Sequence, residues 1–172
     1  MANLRGRVAK ALSAVSGLIL AVGVASPAQA ETTIEGPFRI INLGTQKCLE
    51  VADWSLLDGA AVRQWTCTGG KNQQWYVADI YGVNQWTLAN ANSGKCVDIP
   101  GGNVANGVQL IQWDCHYNDN QRFLRRHGTG AEYQFFWNKY NIEIGGYSRA
   151  NGAPAQLWQD NGGDNQTWYV GD

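Results

Sequence analysis

The sequence predicts an all-β domain closed by three copies of one internal repeat. Two observations carry this. The four cysteines form two pairs of equal spacing, Cys48/Cys67 and Cys96/Cys115, each 19 residues apart, and the second pair follows the first by 48 residues. Apolar residues in each copy alternate with polar ones, the period of a half-buried strand, and nothing after residue 30 keeps a helical period. With 44% apolar and 16% charged residues the chain is an ordinary globular one, outside the disordered range.

The repeat reads off in order. Its first strand segment is Cys48-Leu49-Glu50-Val51, then Cys96-Val97-Asp98-Ile99, then Asn141-Ile142-Glu143-Ile144. A turn signal follows: Asp58-Gly59, Asn106-Gly107, Asn151-Gly152. Such dipeptides are the strongest short hairpin signal, so a tight hairpin turn is expected there. The next strand ends in Gln64-Trp65-Thr66-Cys67, Gln112-Trp113-Asp114-Cys115 and Leu157-Trp158-Gln159-Asp160. Each copy closes on Asn72-Gln73-Gln74-Trp75, Asn120-Gln121-Arg122-Phe123 or Asn165-Gln166-Thr167-Trp168. In the third copy Asn141 and Asp160 replace both cysteines together, which argues for disulfides Cys48–Cys67 and Cys96–Cys115 within repeats. Each would close a loop of about 20 residues and stabilise by roughly 3 kcal/mol in the chain-entropy view. Zinc would want cysteines two to four residues apart, and no two are that close. One repeat cannot bury its own apolar face, but three can bury them against one another.

Residues 1–30 read as a secretory signal peptide: Arg5, Arg7 and Lys10, an uncharged apolar run, then Ala28-Gln29-Ala30 as the cleavage site. The apolar run is too short to span a bilayer and no later one is longer. Residues 31–172 are then a single secreted domain with repeats at about 38–80, 83–128 and 131–170. Losing three positive charges takes the net charge from −1 to −4. No basic block is present, so no nucleic-acid partner is expected, and neither a metal nor a cofactor is. A monomer is assumed.

These residues resemble the ricin-type lectin domain, and are similar to the (Q-x-W)3 β-trefoils and to the related family 13 carbohydrate-binding modules of bacterial glycanases. The resemblance covers residues 38–170. It implies a β-trefoil of twelve strands with pseudo-threefold symmetry and up to three shallow sugar sites. It assigns sugar-hydroxyl recognition to the acidic residue after the first cysteine position and ring stacking to the tryptophan fifteen residues later. The second repeat fits best, with Asp98, Trp113, His116, Asn120 and Gln121. The first (Glu50, Trp65, Asn72, Gln73) and third (Glu143, Gln156, Trp158, Asn165, Gln166) carry glutamate for aspartate and are expected to be weaker. Gln156 stands where plant members have a ligand-binding glutamine; Arg63 and Ile111 stand there in the other repeats. An indole suits the apolar face of a sugar, and carboxylates and carboxamides suit its hydroxyls.

Trp75, Phe123 and Trp168 are expected in the core. Gln73, Gln121 and Gln166 either touch ligand or bond backbone in a turn. Trp54, Trp86 and Trp137 match no repeated position; Trp54, in a loop beside Glu50, either extends the first site or, as the plainer expectation, packs. Asn165-Gln166-Thr167 is also an N-glycosylation sequon. The function expected is a lectin for galactose- or xylose-type sugars. The alternative is a protein-binding β-trefoil such as a protease inhibitor. An enzyme is disfavoured, because the acids recur one per copy and form no adjacent pair.

Overall fold

The alternating apolar residues build strands whose buried sides meet on one axis. A computed structural model describes residues 32–128 and 132–171; the signal peptide and its cleavage site lie outside the described residues. The first repeat holds β1 (Thr33–Asn42), β2 (Cys48–Val51), β3 (Val62–Trp65) and β4 (Gln74–Asp79). The second holds β5 (Gln85–Asn90), β6 (Cys96–Asp98), β7 (Val108–Gln109), β8 (Ile111–Trp113) and β9 (Phe123–His127). The third holds β10 (Glu132–Trp137), β11 (Tyr140–Ile144), β12 (Ala155–Gln159) and β13 (Trp168–Gly171). β7 and β8 occupy the place of one strand interrupted at Leu110, so the twelve expected strands appear as thirteen segments.

Six strands close a ring: β1 pairs β4, β4 pairs β5, β5 pairs β9, β9 pairs β10, β10 pairs β13, and β13 returns to β1, all antiparallel. Closure leaves the ring without an exposed edge. The remaining strands form three hairpins that touch in rotation. Ala61 bridges Ile111, Gln109 pairs Gln156, and Pro154 bridges Arg63. Each repeat thus lends one position to the next, and the arrangement is a β-trefoil. Trp75, Phe123 and Trp168 are fully buried, with Val51, Val62, Leu88, Ile99, Leu110 and Ile144 among their core neighbours. The Trp75 and Trp168 indoles donate to the carbonyls of Leu49 and Ile142, each at 3.0 Å.

Both expected disulfides are present, with Cα–Cα separations of 5.1 Å. In the third repeat Asn141 Nδ2 donates instead to Gln166 Oε1 at 3.0 Å.

The Asp-Gly and Asn-Gly pairs are not tight hairpin turns. β2 and β3 are joined by the longer loop 52–61, which opens with a 3-10 turn at Ala52–Trp54. The glycine, with φ of 80° at Gly59, 81° at Gly107 and 86° at Gly152, ends the loop. The acidic or amide side chain before it reaches into the next repeat. Asp58 accepts from the Asp114 amide (2.9 Å), Asn106 from Gln159 (2.8 Å) and Asn151 from Thr66 (3.0 Å). The dipeptide recurs because it fastens one repeat to its neighbour beside the neighbour's tryptophan.

Candidate sugar-binding site

Each repeat buries one carboxylate at the end of its first hairpin strand: Glu50, Asp98 and Glu143 are all 3% exposed. An unpaired buried charge is costly, and the closing Asn-Gln pair supplies its partners. Asn120 Nδ2 and Gln121 Nε2 donate to Asp98 Oδ2 at 2.9 and 2.8 Å. Asn72 and Gln73 donate to Glu50 Oε2 at 3.3 and 2.9 Å. Asn165 and Gln166 donate to Glu143 Oε2 at 3.0 and 3.1 Å. The longer glutamate therefore meets the same pair as aspartate does.

The glutamines are buried and bond their own loops, Gln73 at the wall of its hollow. Gln121 Oε1 accepts from the amides of His116 and Tyr117, and its Nε2 also donates to the Asp114 carbonyl. Gln73 and Gln166 bind their own loops in the same way, through Thr68 and Thr66 and through Asn161 and Gln159. Of the two roles open to these residues, the turn role is the one seen.

The second oxygen of the carboxylate distinguishes the repeats. Arg63 Nε donates to Glu50 Oε1 at 2.9 Å, and Gln156 Nε2 to Glu143 Oε1 at 3.0 Å. In the second repeat the corresponding residue is Ile111, which has nothing to donate. Among the described residues none donates to Asp98 Oδ1. Burial raises the Asp98 pKa above the usual 3.8, opposed by the hydrogen bonds from Gln121 and Asn120 and by His116. His116 Nδ1 accepts from the Asn118 amide, which turns Nε2 toward Asp98 Oδ2 at 3.5 Å. Opposite stands Trp113, 43% exposed. Asp98, Ile111, Trp113, His116 and Asn120 line a hollow of about 270 Å³ together with Pro100 and Gly101.

The first hollow, about 230 Å³, brings together Glu50, Arg63, Trp65, Thr68, Asn72 and Gln73. It also contains Trp54, which is 53% exposed: one side of its ring packs over Gly70 and the rest lines the hollow. Trp158 is 38% exposed, whereas Trp65 is half-buried. In the third repeat Tyr147 stands where Trp54 stands in the first, and Gly102 stands there in the second. All three have positive φ, 56° at Trp54, 54° at Tyr147 and 68° at Gly102. Each aromatic lies over a glycine. A Cβ on Gly70 would come within 2.7 Å of Trp54, and one on Gly163 within 2.5 Å of the Tyr147 hydroxyl. The second repeat pairs Gly102 with Asn118. This exchange, aromatic with glycine against glycine with asparagine, follows the repeat offsets and is the sequence signal that marks Trp54 and Tyr147.

The sequon does not present an acceptor. Asn165 is 2% exposed and its Nδ2 is held by Glu143 and the Ile144 carbonyl.

A trefoil built on this thrice-repeated pattern falls in the class of trefoil lectins, which are carbohydrate-binding proteins. The chain belongs to the family of ricin-type beta-trefoil lectin domain-like proteins, matching it over residues 24–83 and 71–158. It is similar to the designed threefold-symmetric protein ThreeFoil, with 28% identity and a TM-score of 0.76 over 78% of this chain and 97% of that one. It is also similar to 1,3Gal43A, an exo-β-1,3-galactanase from Clostridium thermocellum, with 29% identity and a TM-score of 0.73 over 77% of this chain and 29% of that enzyme. Serine protease 1 of Rarobacter faecitabidus is 36% identical over 44 residues, which span 26% of this chain and 8% of that protease.

Proposed function

We propose that the chain is a secreted, non-enzymatic lectin whose principal site is the second repeat and whose ligands are galactose-type sugars, with xylose-type sugars as the other candidates. Residues 1–30 direct export and are removed, and residues 31–172 act as a single domain. The observation that carries the reading is the half-committed carboxylate of Asp98. One oxygen is held by two amides, and the other is free to accept a sugar hydroxyl beside the exposed Trp113 ring. A hydrogen bond to a charged acceptor is among the stronger ones available to a sugar. The likeness to a galactanase favours galactose. In binding, the sugar's apolar face lies on Trp113, its hydroxyls donate to Asp98 Oδ1, and His116 and Asn120 meet its rim.

The test is calorimetric titration of residues 31–172 with galactose, lactose and xylobiose, with Asp98→Ala alongside. Binding by the parent that Asp98→Ala loses is the expected result. Binding retained by the variant would move the principal site to another repeat. No binding by a folded parent would overturn the lectin reading for these sugars, and a protease-inhibition assay on the same preparation would then test the protein-binding alternative.

A further inference from the structure

We propose that Arg63 occupies the first site itself and thereby keeps it closed to neutral sugars. Arg63, Ile111 and Gln156 hold the same place in the three repeats, two residues before the platform tryptophan. This inference rests on the lectin reading above and concerns how many sites are open.

A sugar in such a hollow needs an open carboxylate oxygen and an open indole face. In the first repeat the guanidinium of Arg63 takes both. Its Nε lies 2.9 Å from Glu50 Oε1, and its Cζ lies 4.6 Å from the centre of the Trp65 ring. A planar cation over an indole and against a carboxylate is well matched to each. Being tethered, it loses no translational freedom on docking, whereas a free sugar does. The Glu50 side chain is only 5% exposed, so displacing Arg63 would leave a buried charge without its counter-ion.

A second observation points the same way. Arg63 is also held from the rim, where its Nη2 donates to Asp53 Oδ1 at 2.9 Å. Asp53 has φ 53°, in the left-handed region, and the matching residues in the other repeats are Gly101 and Gly146, with φ 59° and 61°. Only the first repeat places a side chain at this position, and that side chain clasps the arginine. Aspartate is among the few non-glycine residues that tolerate the conformation. The second repeat has neither clasp nor cation. The third is intermediate: Gln156 engages Glu143 but is neutral, and its amide lies against Gly145.

The experiment exchanges these residues between repeats. Glu50→Asp combined with Arg63→Ile gives the first site the pair found in the second. Calorimetry with galactose, lactose and xylobiose should show one more sugar bound per chain than the parent binds. Ile111→Arg, alone or with Gly101→Asp, should remove the second-repeat site, lowering the stoichiometry by one. A folded double variant with the parent's stoichiometry would overturn the proposal. Should the double variant not fold, Ile111→Arg decides, and unchanged binding by it overturns the proposal. A parent that binds none of these sugars defeats the lectin reading first, and the inference with it. A parent that binds while the exchanges change nothing defeats the inference alone.

Discussion

Asp98→Asn is expected to weaken sugar binding while leaving the protein as stable as the parent, or more so, at neutral pH. Asparagine has the same shape, and its oxygen can take the place of Oδ2 and accept from Asn120 and Gln121. Its amide nitrogen then faces the hollow, where Oδ1 stood, and a hydroxyl that donated to Oδ1 meets a donor. Losing a hydrogen bond to a charged group is worth about 1.5–3 kcal/mol, on the order of a 10- to 100-fold loss in affinity. The stability expectation follows from the raised Asp98 pKa, whose main cause is burial. The folded state holds the Asp98 proton more tightly than the unfolded state does. Stability therefore falls as pH rises from the ordinary value of 3.8 through the raised folded value, and the deficit persists at neutral pH. Asparagine removes it. Binding in the parent weakens as pH falls through the same raised value, because the acceptor becomes protonated. Titrations and thermal melts at neutral and acidic pH check both. A variant that binds as well as the parent would mean that the sugar does not use Oδ1.

Trp75→Ala is expected to cost about 3–5 kcal/mol of stability, as large buried aromatics do. The Leu49 carbonyl also loses its indole donor. For a domain of this size the fall in melting temperature is on the order of 10 °C or more. Trp113→Ala is expected to do the reverse, costing about 1 kcal/mol or less in stability and most of the sugar affinity. Both residues are tryptophans in repeated positions, yet one is fully buried and the other is 43% exposed. Thermal melts and titrations of the two variants separate core from platform. A large destabilisation by Trp113→Ala would show that its ring is part of the core.

Much of this was legible because threefold repetition tests every position three times. The joint loss of Cys48/Cys67-type residues at Asn141 and Asp160 marked the disulfide pairing, and both bridges are present. Trp75, Phe123 and Trp168 read as core because they close each copy, and each is fully buried. What stayed hidden depends on contacts between segments. Taken locally, Asp-Gly and Asn-Gly signal a hairpin turn, but Asp58, Asn106 and Asn151 bond across repeats. The state of each carboxylate's second oxygen is decided across the hairpin by Arg63, Ile111 or Gln156, thirteen residues on. Linear spacing marks those positions without showing what they touch. The roles of Gln73, Gln121 and Gln166 could not be separated by type, because a glutamine that bonds sugar and one that holds a loop have the same composition.

The chain has eight tryptophans, so its indole N–H groups make a sparse set of NMR signals spread over core, platform and rim. The most direct test of sugar binding at the second repeat is to follow them during a galactose titration of residues 31–172. The Trp113 signal should shift first and saturably, with Trp75 and Trp168 unmoved. Shifts confined to Trp65 or Trp158, with Trp113 unchanged at saturation, would contradict the assignment of the principal site to Asp98 and Trp113.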